Sequence, residues 1–128
     1  MPGLLIALTT GAGLLVIAVS LVMLAVMATA PGFGPNMGIG IRTRATKSSP
    51  EAWRAGHVAA RPWLIVAGAV ALAVAVADLV LVAAGVSADV ILIVAMSTYA
   101  GALVLVVVGA LRANRAARSV ADEHRAGG

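Results

Sequence analysis

The chain has 128 residues, 62% of them hydrophobic and 11% charged, with a formal net charge of +4. A small soluble domain buries only about 60–70% of its unfolded surface, so this much apolar material needs an apolar solvent around it. With no cysteine there can be no disulfide framework, thiolate metal site or cysteine nucleophile, and four aromatic residues (Phe33, Trp53, Trp63 and Tyr99) cannot build a base-stacking surface for nucleic acid.

The first apolar run covers residues 3–30 and carries no charge. About 20 helical residues cross a hydrocarbon core of about 30 Å, so the run predicts a transmembrane helix. Ala28-Thr29-Ala30 looks like a signal-peptide cleavage site. No Lys or Arg precedes the run, however, and it is far longer than the apolar core of about 7–15 residues in a signal peptide. A retained span is the expectation.

Residues 31–61 form a polar loop that opens with the turn-rich PGFGPNMGIG. A short helix is expected over 50–60, lying flat on the membrane surface. Its start has two readings: Ser49 as N-cap before Pro50, or a capping box from Ser48 to Glu51. The second span is predicted over 63–85 and the third over 90–111. The brief connection at 86–89 makes them an antiparallel hairpin. Residues 112–128 form a tail expected to prolong the third helix into water. The fold class is thus an all-α, three-span membrane domain over 1–128, with a basic loop and a basic tail.

All nine Lys and Arg residues fall in two segments. Arg42, Arg44, Lys47, Arg54 and Arg61 lie in the loop; Arg112, Arg115, Arg118 and Arg125 lie in the tail. Three spans put both on one side, and the positive-inside rule makes that side cytoplasmic, with the N-terminus outside. Anionic lipid headgroups are the first partner this charge implies.

Asp78 is the only ionisable residue within a span. An Asp at mid-helix costs about 2.5–3.5 kcal/mol on insertion scales and less toward an end; Asp78 lies nearer the external end of the second span and is expected to face the bundle. Thr9, Thr10 and Ser97 fall at similar depths and could hydrogen-bond to it. One reading is a structural polar clamp or a side chain reaching for the outer interface; the other is a proton or ligand site. Ala67, Ala71 and Ala75 form a small-residue ladder that permits close helix packing.

The loop carries the one motif of the chain. Asn36, Gly40, Arg42, Thr43, Thr46, Glu51, Trp53 and His57 spell N-x3-G-x-R-T-x2-T-x4-E-x-W-x3-H. Trp53 and His57 share a helical face. Arg42 and Arg44 could pair with lipid phosphates or with Glu51. Loop anchoring at the interface would by itself account for these residues. Glu51 and His57 are too few and too far apart in sequence to suggest a metal site. No catalytic nucleophile and no cofactor motif is present.

This motif, with one apolar run before it and two after, resembles the SdpI/YfhL family of small bacterial membrane proteins. Arg44-Ala45 stands where members often carry Pro-Trp, and Val58-Ala59-Ala60 where they often carry glycines. The resemblance implies a non-enzymatic protein of the bacterial inner membrane that protects against a membrane-active peptide or toxin. It also implies signalling through a cytoplasmic regulator, for which the Trp53–His57 helix would be the docking surface. The sequence also fits two rivals. One is an accessory subunit packed against other membrane subunits; the other is a small transporter component coupled through Asp78.

Overall fold

The computed structural model describes all residues, Met1–Gly128. Three long helices, α1 (Pro2–Met27), α2 (Pro50–Ala83) and α3 (Ala88–Ala126), account for most of the chain. Two short 3-10 turns, Pro35–Met37 and Thr46–Ser48, lie in the α1–α2 loop. All three helices are long and apolar enough to cross a membrane. Their 26, 34 and 39 residues give lengths of about 39, 51 and 58 Å. Helices α2 and α3 therefore overrun a hydrocarbon core of about 30 Å by several turns.

Local chemistry sets the helix ends. The Ser49 side chain accepts the Ala52 N–H at 3.0 Å, with Pro50 in the first turn, which selects the Ser49 cap over the capping box. Ser48 instead donates its hydroxyl to Ala45 O. Helix α2 ends in a paired-bond stop: Val86 N–H reaches Leu81 O and Gly85 N–H reaches Val82 O, both at 3.0 Å. Gly85 takes φ of +75° there, a left-handed position that glycine adopts without a Cβ clash. Helix α3 then returns antiparallel to α2.

Small residues hold the bundle together. Leu14 and Ala18 of α1, Ala71 and Ala75 of α2, and Ala95 of α3 form one buried cluster. Ala25, Ala60, Leu64 and Ala113 form another nearer the loop. At Gly68 an added Cβ would sit 3.2 Å from Ala18 O and 2.9 Å from Val22 Cγ2, so α1 and α2 approach there to backbone distance. The larger apolar side chains, such as Leu5, Val16, Val76 and Leu103, point outward. That inverted distribution suits a lipid environment, where association relies on close packing of small residues. Four hydroxyls within the spans find partners locally: Thr9, Thr10, Ser20 and Thr98 each lie within hydrogen-bond distance of the carbonyl four residues earlier.

The separate surface-lying helix expected over 50–60 does not form. Those residues are the first turns of α2, which passes through Pro62 without interruption. The reason is the buried stripe. Ala52, Gly56, Ala60, Leu64, Ala67, Ala71 and Ala75 recur every three to four residues on both sides of Pro62. The extended end of α3 offers that stripe a matching surface of Gly109, Ala113 and Ala117. Packing along a continuous face outweighs the backbone hydrogen bond that Pro62 cannot donate. Trp63, just past Pro62, is half-buried with the Arg112 guanidinium 5.8 Å from its ring centre. It opens the apolar run expected to form the second span, a position that suits an interfacial Trp.

Candidate functional site

The loop folds back on the projecting α2–α3 hairpin, and its order comes from Thr43 and Thr46. Thr43 N–H donates to Thr46 Oγ1 at 2.9 Å and Thr46 N–H donates to Thr43 Oγ1 at 3.1 Å. This reciprocal pair closes the turn much as a capping box closes a helix start. The Thr46 hydroxyl also lies 2.7 Å from Ile41 O, and the whole residue is buried. Its methyl group fills the space left at Gly56, where an added Cβ would come within 2.9 Å of Thr46 Cγ2.

Behind this turn lies a buried aromatic cluster. Trp53 and His57 are fully enclosed, with ring centres 4.3 Å apart. Phe33 packs edge-on to His57 at 5.0 Å and tilted to Trp53 at 5.5 Å. The His57 ring bridges loop and helix. Its Nε2 accepts the Ile41 N–H at 2.8 Å, so its Nδ1 carries the proton and donates to Trp53 O, also at 2.8 Å. Burial pushes the His57 pKa below 6.5, against a smaller opposing effect of the Trp53 carbonyl. The neutral imidazole is the form this geometry uses, because only it can accept from Ile41. Gly40 lies against both rings with φ of +112°. A Cβ there would meet His57 Nε2 at 2.6 Å and Trp53 Cζ2 at 2.9 Å. The indole Nε1 of Trp53 is buried without an acceptor.

The motif residues thus divide into two groups. Gly40, Thr43, Thr46, Trp53 and His57 build the inside of the loop. Asn36 and Glu51 are exposed and line one cleft beside Phe33 and Arg54. Arg42 is exposed and donates to Pro35 O at 2.7 Å, not to Glu51. The pairing of Arg42 or Arg44 with Glu51 does not occur. Burial of Trp53 and His57 also removes them from any docking surface, contrary to the sequence expectation.

Toward the end of the bundle that holds the α2–α3 turn, Asp78 of α2 is fully buried against α1. Thr10 Oγ1 lies 3.1 Å from Asp78 Oδ2 and 2.8 Å from Ile6 O. One hydroxyl proton cannot serve both bonds at once. Asp78 Oδ1 has no partner. Of the three residues expected near Asp78, only Thr10 reaches it. Thr9 is exposed and bonded to Leu5 O, and Ser97 is exposed on α3. The contribution from α3 comes from Tyr99, whose hydroxyl donates to Thr10 O at 2.9 Å. Tyr99 is the residue the sequence reading missed. The available signal was an amphipathic ring within an apolar run, since a buried Tyr hydroxyl needs a partner. No group of three His, Asp or Glu side chains lies close enough to hold a metal ion.

The fold and the loop define a class: a multi-pass, three-span helical membrane protein with a structured polar loop between its first two spans. The SdpI/YfhL protein family model matches residues 33–112, from the loop through the third span. The chain belongs to that family. Searches of curated proteins and of solved structures found no match.

Proposed function

We propose that this protein protects the membrane that holds it against a membrane-active peptide or toxin, without enzymatic turnover. The family match over 33–112 is the observation that carries this reading. The motif side chains Thr43, Thr46, Trp53 and His57 support it, because they are consumed in internal hydrogen bonds and packing. What remains exposed is apolar surface along the spans, basic charge at the loop end and the cleft beside Asn36 and Glu51. In this reading the protein sits in the bacterial inner membrane with its N-terminus outside and its basic segments in the cytoplasm, following the charge asymmetry. Asp78, buried with one free carboxylate oxygen, is the polar residue placed to sense or restrain a change in helix packing. A cytoplasmic regulator would meet the exposed Asn36, Glu51 and Arg54.

The test is expression of the intact chain alone in a bacterium sensitive to a secreted, membrane-active killing peptide. The reading expects a higher inhibitory concentration of peptide, reduced by Asp78→Asn. Unchanged sensitivity at verified membrane expression, with co-purification in fixed ratio with larger membrane subunits, would make the protein an accessory subunit instead.

A further inference from the structure

The cleft of about 660 Å³ between the loop and the projecting end of α3 is lined by Arg44, Ser48, Asn114, Arg118, Asp122 and Arg125. Three guanidinium groups face one carboxylate, so the cleft carries two uncompensated positive charges. They come from segments far apart in sequence. Arg44 stands between Thr43 and Thr46, and their reciprocal hydrogen bonds fix its backbone. Asn114, Arg118 and Arg125 follow at helical spacing along one side of α3.

These arginines share one cleft, and none is held by a partner in the chain as Arg42 and Arg112 are. Arg42 is engaged by Pro35 O, and Arg112 lies over the Trp63 ring. Arg44, Arg118 and Arg125 are exposed and have no hydrogen-bond or ion-pair partner in the chain. Converging cations repel one another unless an anion lies between them. A guanidinium presents paired N–H donors that match phosphate oxygens.

Depth points to the source of the anion. Asn114, Arg118 and Arg125 lie about 4, 10 and 21 Å along the helix beyond Leu111, where the apolar run ends. A headgroup layer is about 5–8 Å thick on each side of the bilayer. Asn114 is therefore level with lipid phosphates, Arg118 starts just beyond that layer with its long side chain leaning back toward it, as helical side chains lean toward the helix N-terminus, and Arg125 reaches into water. We propose that this cleft binds a phosphate-bearing anion with two negative charges, supplied by an anionic lipid headgroup. The inference rests on the spanning geometry and not on the protective role.

The experiment uses the full chain in nanodiscs of phosphatidylcholine, with and without cardiolipin, whose headgroup carries two phosphates. A separate arm adds soluble pyrophosphate to the phosphatidylcholine discs. Thermal midpoint is followed as each anion is titrated. Cardiolipin is expected to raise the midpoint, with half-saturation moved about tenfold or more by Arg44→Gln or Arg118→Gln. Arg115→Gln, outside the cleft, is expected to move it less than about threefold. Stabilisation by pyrophosphate alone, with the same dependence on Arg44 and Arg118, would retain the phosphate site but overturn its lipid source. No response to either anion, or an equal loss in all three variants, would overturn the site. The three arginines are solvent-exposed, and circular dichroism checks that each variant keeps its helices.

Discussion

His57 joins loop to helix through a bond that one proton would remove. Protonation at Nε2 converts the acceptor for Ile41 N–H into a second donor facing it. Its pKa is lowered by burial, so the unfolded chain binds the proton more readily. The stability from this group is fully present above pH 6.5 and is lost as pH falls through the lower folded value. Thermal unfolding between pH 8 and pH 5 should show a loss in the native chain that is smaller in His57→Gln. A side-chain titration by NMR should give a midpoint below 6.5. Gly40→Val adds both a strained left-handed backbone and a clash with the two rings. It should destabilise the loop by about 1–3 kcal/mol, read as a lower denaturation midpoint. The sequence exposed which loop residues belong together, but not that five of them point inward. Trp and His at helical spacing describe a shared face without saying what covers it. The cover here is the loop itself, folded by the Thr43–Thr46 bonds.

Among the elements, the α2–α3 hairpin projects beyond the apolar layer as a packed pair. An ideal Cβ at Gly109 lies 3.8 Å from Ala60 Cβ, the mean separation of about 3.8 Å in disulfides. The chain has no cysteine, so Ala60→Cys with Gly109→Cys should give an intramolecular disulfide on mild oxidation. Reducing and non-reducing gels after proteolysis would show it; absence of the cross-link would mean that α2 turns away from α3 at Pro62. Between α1 and α2, Gly68→Leu forces side chain onto the Ala18 backbone and should cost about 1–3 kcal/mol, read as a lower denaturation midpoint in detergent. The three spans and the short turn were legible because runs of this length admit few other structures. The continuity of α2 was less so, since Arg61 and Pro62 look like a boundary. The small residues at 52, 56 and 60, in step with 64, 67 and 71, carried that information. Likewise Asp78 was readable as inward-facing, but its partners depend on helix rotation, which depth alone does not fix.

At the scale of the whole molecule, three helices long enough to span a membrane hold a folded loop cap against a helical hairpin, and Gly40, Thr43, Thr46, Trp53 and His57 build the inside of that cap. Exposed chemistry is left to the arginine cleft and to the Asn36–Glu51 side. The most direct measurement is quenching of Trp53 emission in a Trp63→Phe background, with the full chain in nanodiscs. Trp53 is fully buried within the loop cap. It is expected to be shielded both from aqueous acrylamide and from lipids brominated near the headgroup. Strong quenching by the brominated lipids would place Trp53 on the membrane surface, and would contradict the cap and the continuous α2 together.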